Sequence, residues 1–138
     1  MTISVLVDSN IFLDLFQGGA VASWSLNALV EAGAYAALTV NPVIWSEISA
    51  RFSSEAELHG ALAGLSVQKL PIPYEAAFLA GKAHIAYRQK GGTRARTLPD
   101  FLIGAHAAVD GHALLTRDPK RYRSYFPDIN IIAPDTHP

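Results

Sequence analysis

Four acidic residues have the types and positions to do chemistry together: Asp8, Glu47, Asp100 and Asp118. Asp8 follows the run Ile3-Ser4-Val5-Leu6-Val7, and Asp118 closely follows the apolar stretch that ends in Leu114-Leu115. Both therefore stand at the carboxyl ends of short strands, where open α/β sheets bind their ligands. Carboxylates gathered at one such edge repel unless a cation sits between them. Oxygen donors of this kind suit Mg²⁺ or Mn²⁺, hard ions that keep several waters and bridge to phosphate. Such an ion activates water and stabilises charge on the phosphate and the leaving oxygen. Phosphodiester hydrolysis is the reaction this set points to.

Taken singly, each acid has a structural explanation. Asp8 suits the cap of a following helix, Thr97 with Asp100 matches a capping box, and Asp118 suits a turn or the cap of a short helix. Glu47 stands four residues before Arg51, the spacing of a helical ion pair. Joint placement is the stronger signal: two acids at strand ends, one in a first helical turn, one on a helix entered from a strand. Helix N-termini and strand carboxyl ends share one edge of a doubly wound sheet. Ser9, Asn10 and Thr116 add hydroxyl and amide groups that can orient water or the carboxylates.

The elements that must position these residues are legible as short apolar runs separated by helical patterns. Strands are predicted over 3–7, 35–40, 66–70, 112–116 and 129–132. Helices are predicted over 10–16, 21–32, from Asn41-Pro42 toward Phe52, 54–64, 75–89 and from Thr97-Leu98-Pro99 to Asp110. Gly33 is read as the stop of the second helix, with Asn41 as N-cap and Pro42 in the first turn of the third. Strands alternating with helices require crossovers, hence a mostly parallel sheet covered on both faces. The expectation is an α/β/α sandwich with five strands, a single domain over residues 1–138.

Composition bounds the partners. Half of the 138 residues are hydrophobic, 17% are charged, and the formal net charge is −1, so wholesale disorder is excluded and a polyanion partner is not indicated globally. Basic residues nonetheless cluster at Arg88, Lys90, Arg94 and Arg96, and again at Arg117, Lys120, Arg121 and Arg123. Phosphate contacts depend on local charge, which makes Arg94, Arg96, Arg117 and Arg121 candidate RNA-binding residues. The absence of cysteine excludes disulfides and thiolate metal sites. No basic leader precedes Asp8 and no apolar run reaches the roughly 18 residues of a membrane span, so a cytoplasmic protein is expected. The five histidines form no HExxH or closely spaced pair, and no histidine metal site is expected. GxGxxG, Walker A and GxSxG motifs are absent.

Val7-Asp8-Ser9-Asn10, Glu47 after Asn41-Pro42, the stretch Leu98-Pro99-Asp100-Phe101-Leu102-Ile103-Gly104-Ala105-His106-Ala107 and Leu115-Thr116-Arg117-Asp118 occur in the order seen in PIN-domain nucleases. The chain resembles VapC-type toxins of that family, and the tail Tyr122-Arg123-Ser124-Tyr125-Phe126-Pro127 followed by Ile131-Ile132-Ala133-Pro134 resembles the same branch. The resemblance implies a PIN-like sandwich, an Mg²⁺- or Mn²⁺-dependent endoribonuclease, an antitoxin partner of VapB type and a homodimer. The apolar and aromatic residues Trp24, Leu29, Trp45 and Phe52 are the expected antitoxin groove. A phosphoacceptor receiver domain is disfavoured, since Asp8 lacks an adjacent acid and no lysine follows Ile132. The alternative is a non-catalytic RNA- or partner-binding scaffold on the same fold.

Overall fold

The computed structural model describes residues 4–138, so Ile3, the expected first residue of the first strand, lies outside the described residues. Along the chain run β1 (Ser4–Val7), α1 (Ser9–Gln17), α2 (Ala20–Tyr35), β2 (Ala37–Val40), α3 (Pro42–Ser49), α4 (Glu55–Leu62), β3 (Gln68–Lys69), α5 (Tyr74–Gln89), α6 (Leu98–Asp110), β4 (Ala113–Leu115), α7 (Lys120–Arg123) and β5 (Ile131–Ile132). A 3₁₀ turn, Ala63–Leu65, extends α4. The five strands form one sheet in the order β3-β2-β1-β4-β5, and every pairing is parallel.

Right-handed crossovers dictate the layers. Moving from β1 through β2 to β3 in one direction puts α1 to α4 on one face, and the return to β4 and β5 puts α5 to α7 on the other. The order reverses between β1 and β4, which makes the crevice beyond their carboxyl ends the switch point. Val7 pairs with Leu115 there, bringing Asp8 opposite Thr116. Parallel strands buried on both faces need continuous apolar runs. Val5, Leu6, Val7, Leu114 and Leu115 supply them and are fully buried.

Local chemistry sets the helix boundaries. Asn41 Oδ1 accepts the Ile44 N–H at 2.9 Å, capping α3 behind Pro42. Gly18 and Gly19, at φ 79° and 86°, break α1 from α2 in a conformation that other residues rarely adopt. Gly33 does not stop α2, which continues to Tyr35. A Cβ at Gly33 would lie 3.3 Å from Leu38 Cδ1, so the residue is small because β2 passes close to the helix there. Gly104 is tighter still: an added Cβ would meet Phe126 Cδ2 at 2.4 Å.

Candidate active site

Asp8 caps α1 from the end of β1. Its Oδ1 accepts the Ser9 N–H at 2.7 Å, while Oδ2 accepts the hydroxyls of Thr116 and Tyr122, each at 2.8 Å. The residue is 3% exposed. Burial pushes its pKa above the ordinary carboxylate value, because the hydrogen bonds from Tyr122, Thr116 and Ser9 do not fully offset desolvation and the nearby Asp100 adds repulsion.

Ser9 connects Asp8 to α3, its hydroxyl donating to Glu47 Oε1 at 2.9 Å. Glu47 therefore faces the crevice and pairs with Ser9 instead of Arg51. Its pKa is also raised, first by burial and then by the negative charges of Asp8 and Asp100, against the Ser9 hydrogen bond and Arg121. Asp100 sits in the first turn of α6, where its Oδ2 accepts the Thr97 N–H at 3.0 Å and completes the expected capping box with Thr97. Its other oxygen accepts Arg121 Nη1 at 3.2 Å. Asp118 accepts Arg121 Nε at 2.8 Å, with 43% of its side chain exposed.

Arg121 thus bridges Asp100 and Asp118 with a single guanidinium. Burial works against its charge, but the two carboxylates outweigh burial and hold its pKa above the ordinary value. Among the described residues, Asp8 and Glu47 have no ion-pair partner. Asn10 and Thr116 tie the crevice together: Asn10 Nδ2 donates to Thr116 Oγ1 at 3.2 Å, and Asn10 Oδ1 accepts the Arg117 N–H at 3.2 Å. The donor set is all oxygen: Asp8 is buried and Glu47 half-buried, neither with an ion-pair partner among the described residues, while one guanidinium bridges Asp100 and Asp118. These residues fit a hard divalent cation.

The candidate RNA-binding arginines divide into two groups. Arg117 clamps the buried Asp14 with Nε to Oδ2 at 2.6 Å and Nη2 to Oδ1 at 3.0 Å. Arg123 pairs similarly with Asp135, so three of the four basic residues around Asp118 are matched by carboxylates. Arg94 and Arg96 instead line an open cavity of about 500 Å³ with His84, Arg88 and Thr97, and have no acidic partner among the described residues. Arg96 also lies 5.6 Å from the Tyr87 ring centre.

A further sequence expectation is corrected by packing. Leu29 is fully buried in the main core and cannot line an exposed groove; Trp24, Trp45 and Phe52 are only half-buried against that core. Exposed apolar side chains on α2 include Val21, Leu26, Val30 and Tyr35, and those on α5 include Tyr74, Phe78, Leu79 and Ile85. Sequence reasoning also missed Tyr122 at the crevice. The residue is fully buried, and its hydroxyl reaches Asp8 across 114 positions of chain. The sequence signal was a lone aromatic set among the basic residues of α7.

Fold and site together define a parallel α/β protein with a carboxylate-lined crevice at the switch point of its sheet. The sequence matches the PIN domain family over residues 5–126, and the chain belongs to that family. Among solved structures, it is similar to VapBC2 from Rickettsia felis bound to a DNA fragment from their promoter, at 14% identity and a TM-score of 0.72, covering 95% of this chain and 98% of that one. VapBC-1 from nontypeable Haemophilus influenzae gives 18% identity and a TM-score of 0.72 over 95% of this chain and 98% of that one. A toxin-antitoxin complex from Klebsiella pneumoniae gives 22% and 0.60, over 94% and 96%. At these identities the likeness is one of fold. No curated protein matches the sequence significantly.

Proposed function

We propose that this chain is the toxin of a VapBC-type toxin-antitoxin pair, a single-domain cytoplasmic endoribonuclease that hydrolyses RNA with Mg²⁺ or Mn²⁺. The observation that carries the reading is Asp8: a buried carboxylate, held by three donors, with no cationic partner, in the electrostatic range of Asp100. Such a group is costly unless it serves a ligand. Membership of the PIN family and the likeness to VapBC complexes support the same conclusion.

Asp8, Asp100, Asp118 and Glu47 are the residues that would hold the metal. When bound, the metal supplies a water of lowered pKa and charge stabilisation at the phosphate. The remaining work falls to side chains of this chain. Tyr122, Thr116 and the Ser9 N–H fix the Asp8 carboxylate in one orientation. Glu47, hydrogen-bonded to Ser9 beside Asp8 and with its proton affinity raised by burial, is placed to accept a proton from water. Arg121 is 44% exposed at its side chain, so it can leave Asp100 and Asp118 for a phosphate of the substrate. Arg94 and Arg96 extend the cationic surface from the first turn of α6. Single-stranded RNA fits this open crevice better than duplex, since its phosphates and bases are both accessible.

The exposed apolar side chains of α2 and α5 suit a VapB-type antitoxin and a second copy of the chain. No described helix is long and apolar enough to cross a membrane. The test is cleavage of a panel of single-stranded and hairpin RNAs with Mg²⁺, Mn²⁺ or chelator. Metal-dependent cleavage abolished by Asp8→Asn supports the reading. RNA binding without cleavage in either metal would instead mark a non-catalytic scaffold.

A further inference from the structure

A second concentration of ligating side chains lies at the C-terminal end of α6. Asp100 and Asp110 are ten residues apart on α6, about 15 Å along the axis, so the far end of this helix is remote from the crevice. His106 is fully buried on α6; the chain turns at Gly111, with φ 70°, and returns through His112 into β4. His106 Nε2 lies 3.0 Å from Asp110 Oδ2, and His112 Nε2 lies 3.7 Å from the same oxygen. Ligand atoms of all three residues fall within 4.8 Å of one another. No other group of three such residues meets that spacing among the described residues.

The decisive atom is His112 Nε2. It is buried without a hydrogen-bond partner, and the residue is 8% exposed. The other ring nitrogen is engaged with Ser4 Oγ. In the tautomer whose proton lies on that side, the imidazole turns a bare lone pair toward the Asp110 carboxylate 3.7 Å away, an arrangement that a cation between the two groups satisfies. Burial lowers the pKa of both histidines against the opposing pull of Asp110, with mutual repulsion adding to the effect on His106, which favours the neutral form that ligates metal. Asp110, with 37% of its side chain exposed, leaves a route from solvent and room for a coordinating water.

We propose that His106, Asp110 and His112 bind one divalent transition-metal ion of the Zn²⁺ or Co²⁺ class, at a site separate from the carboxylate crevice. Two imidazoles and one carboxylate are a donor set for Zn²⁺, not for Mg²⁺. Ser4 supports the His112 ring from behind, the usual arrangement for a metal-bound histidine. Asn41 sets the condition for loading. Its Oδ1 is committed to the Ile44 N–H, so its Nδ2 donates to His106 Nδ1 at 3.0 Å and the His106 proton resides on Nε2. Metal at Nε2 moves that proton to Nδ1 and requires the Asn41 amide to turn over. Asn41→Asp removes the conflict, since one carboxylate oxygen can cap α3 while the other accepts the His106 proton.

Co²⁺ titration of the full chain in excess Mg²⁺, read by the visible absorption of nitrogen-ligated Co²⁺, tests the site independently of nuclease activity. The expected result is one Co²⁺ per chain, displaced by Zn²⁺. Asp110→Asn should weaken the affinity at least about tenfold, and Asn41→Asp should strengthen it by a similar factor. Absence of the absorption in the parent, or Co²⁺ affinity unchanged by both substitutions, overturns the proposal.

Discussion

Asp8→Asn separates the two things that Asp8 does. As the N-cap of α1 it is replaceable, because Asn and Asp cap helices about equally well. As an acceptor it is not fully replaceable: if Asn Oδ1 keeps the Ser9 N–H, the new Nδ2 faces the hydroxyls of Thr116 and Tyr122. Tyr122 can rotate its hydroxyl to accept. Thr116 cannot do so readily, since its oxygen already accepts from Asn10 Nδ2 and the Asp118 N–H. One hydrogen bond is lost, about 1 kcal/mol. Against this stands the removal of a buried charge whose pKa is raised by desolvation. The stability tied to protonated Asp8 is present below its unfolded-state value of 3.8 and is lost as pH rises through the folded value. At neutral pH the parent therefore carries the penalty and the variant does not. In chelator at pH 7, Asp8→Asn should lie within about 1 kcal/mol of the parent. It should compare less favourably at pH 4, where the parent regains its neutral acid. Asp8→Ala, which loses the cap and leaves two buried hydroxyls unpaired, should cost about 3 kcal/mol or more. Thermal or urea melts at the two pH values give the stabilities, and a cleavage assay in Mg²⁺ should find Asp8→Asn down at least about 100-fold. If Asp8→Asn destabilises the metal-free protein at pH 7 by clearly more than about 1 kcal/mol, then Asp8 is chiefly a structural residue, and the argument from an uncompensated charge fails.

Arg117→Ala strands the buried carboxylate of Asp14 and should cost about 2 kcal/mol in urea unfolding, below the fully buried-pair range because Arg117 is 44% exposed. Its salt dependence of RNA binding should match the parent, whereas Arg94→Ala and Arg96→Ala should each lower the slope by about one; filter binding over a salt series reads both, and a flattened slope for Arg117→Ala would reverse the assignment. Arg121→Gln removes the cation that bridges Asp100 and Asp118, so Mg²⁺ should bind several-fold tighter by calorimetry while RNA binding weakens; unchanged Mg²⁺ affinity would place the metal away from those carboxylates. Gly104→Ala drives a methyl into Phe126 and should lower stability by about 1–3 kcal/mol, measured by thermal melting, with little change in Mg²⁺ affinity.

The sequence by itself determined the order of strands and helices and the position of the acids on them, because both are written locally. An apolar run of four or five residues followed by Asp8, or Asn41-Pro42 ahead of an apolar helix face, carries its own structural instruction through burial and capping. Boundaries were less secure where packing overrode a local signal, as at Gly33, which is small to admit Leu38 and not to end a helix. The tertiary structure alone decided which charges meet. Arg117 and Asp14 are separated by 103 residues, Tyr122 and Asp8 by 114, and His106 and Asn41 by 65. Nothing in the spacing of those pairs distinguishes a clamp, a hydroxyl donor or a buried imidazole from an ordinary surface group. Hydrogen bonds and ion pairs act over about 3 Å, so their partners are chosen by the closure of the parallel sheet, which brings β1 beside β4. For the same reason the basic cluster around Asp118 reads in sequence as one cationic patch, but in the fold it is largely neutralised by acids drawn from α1, α6 and the C-terminal segment.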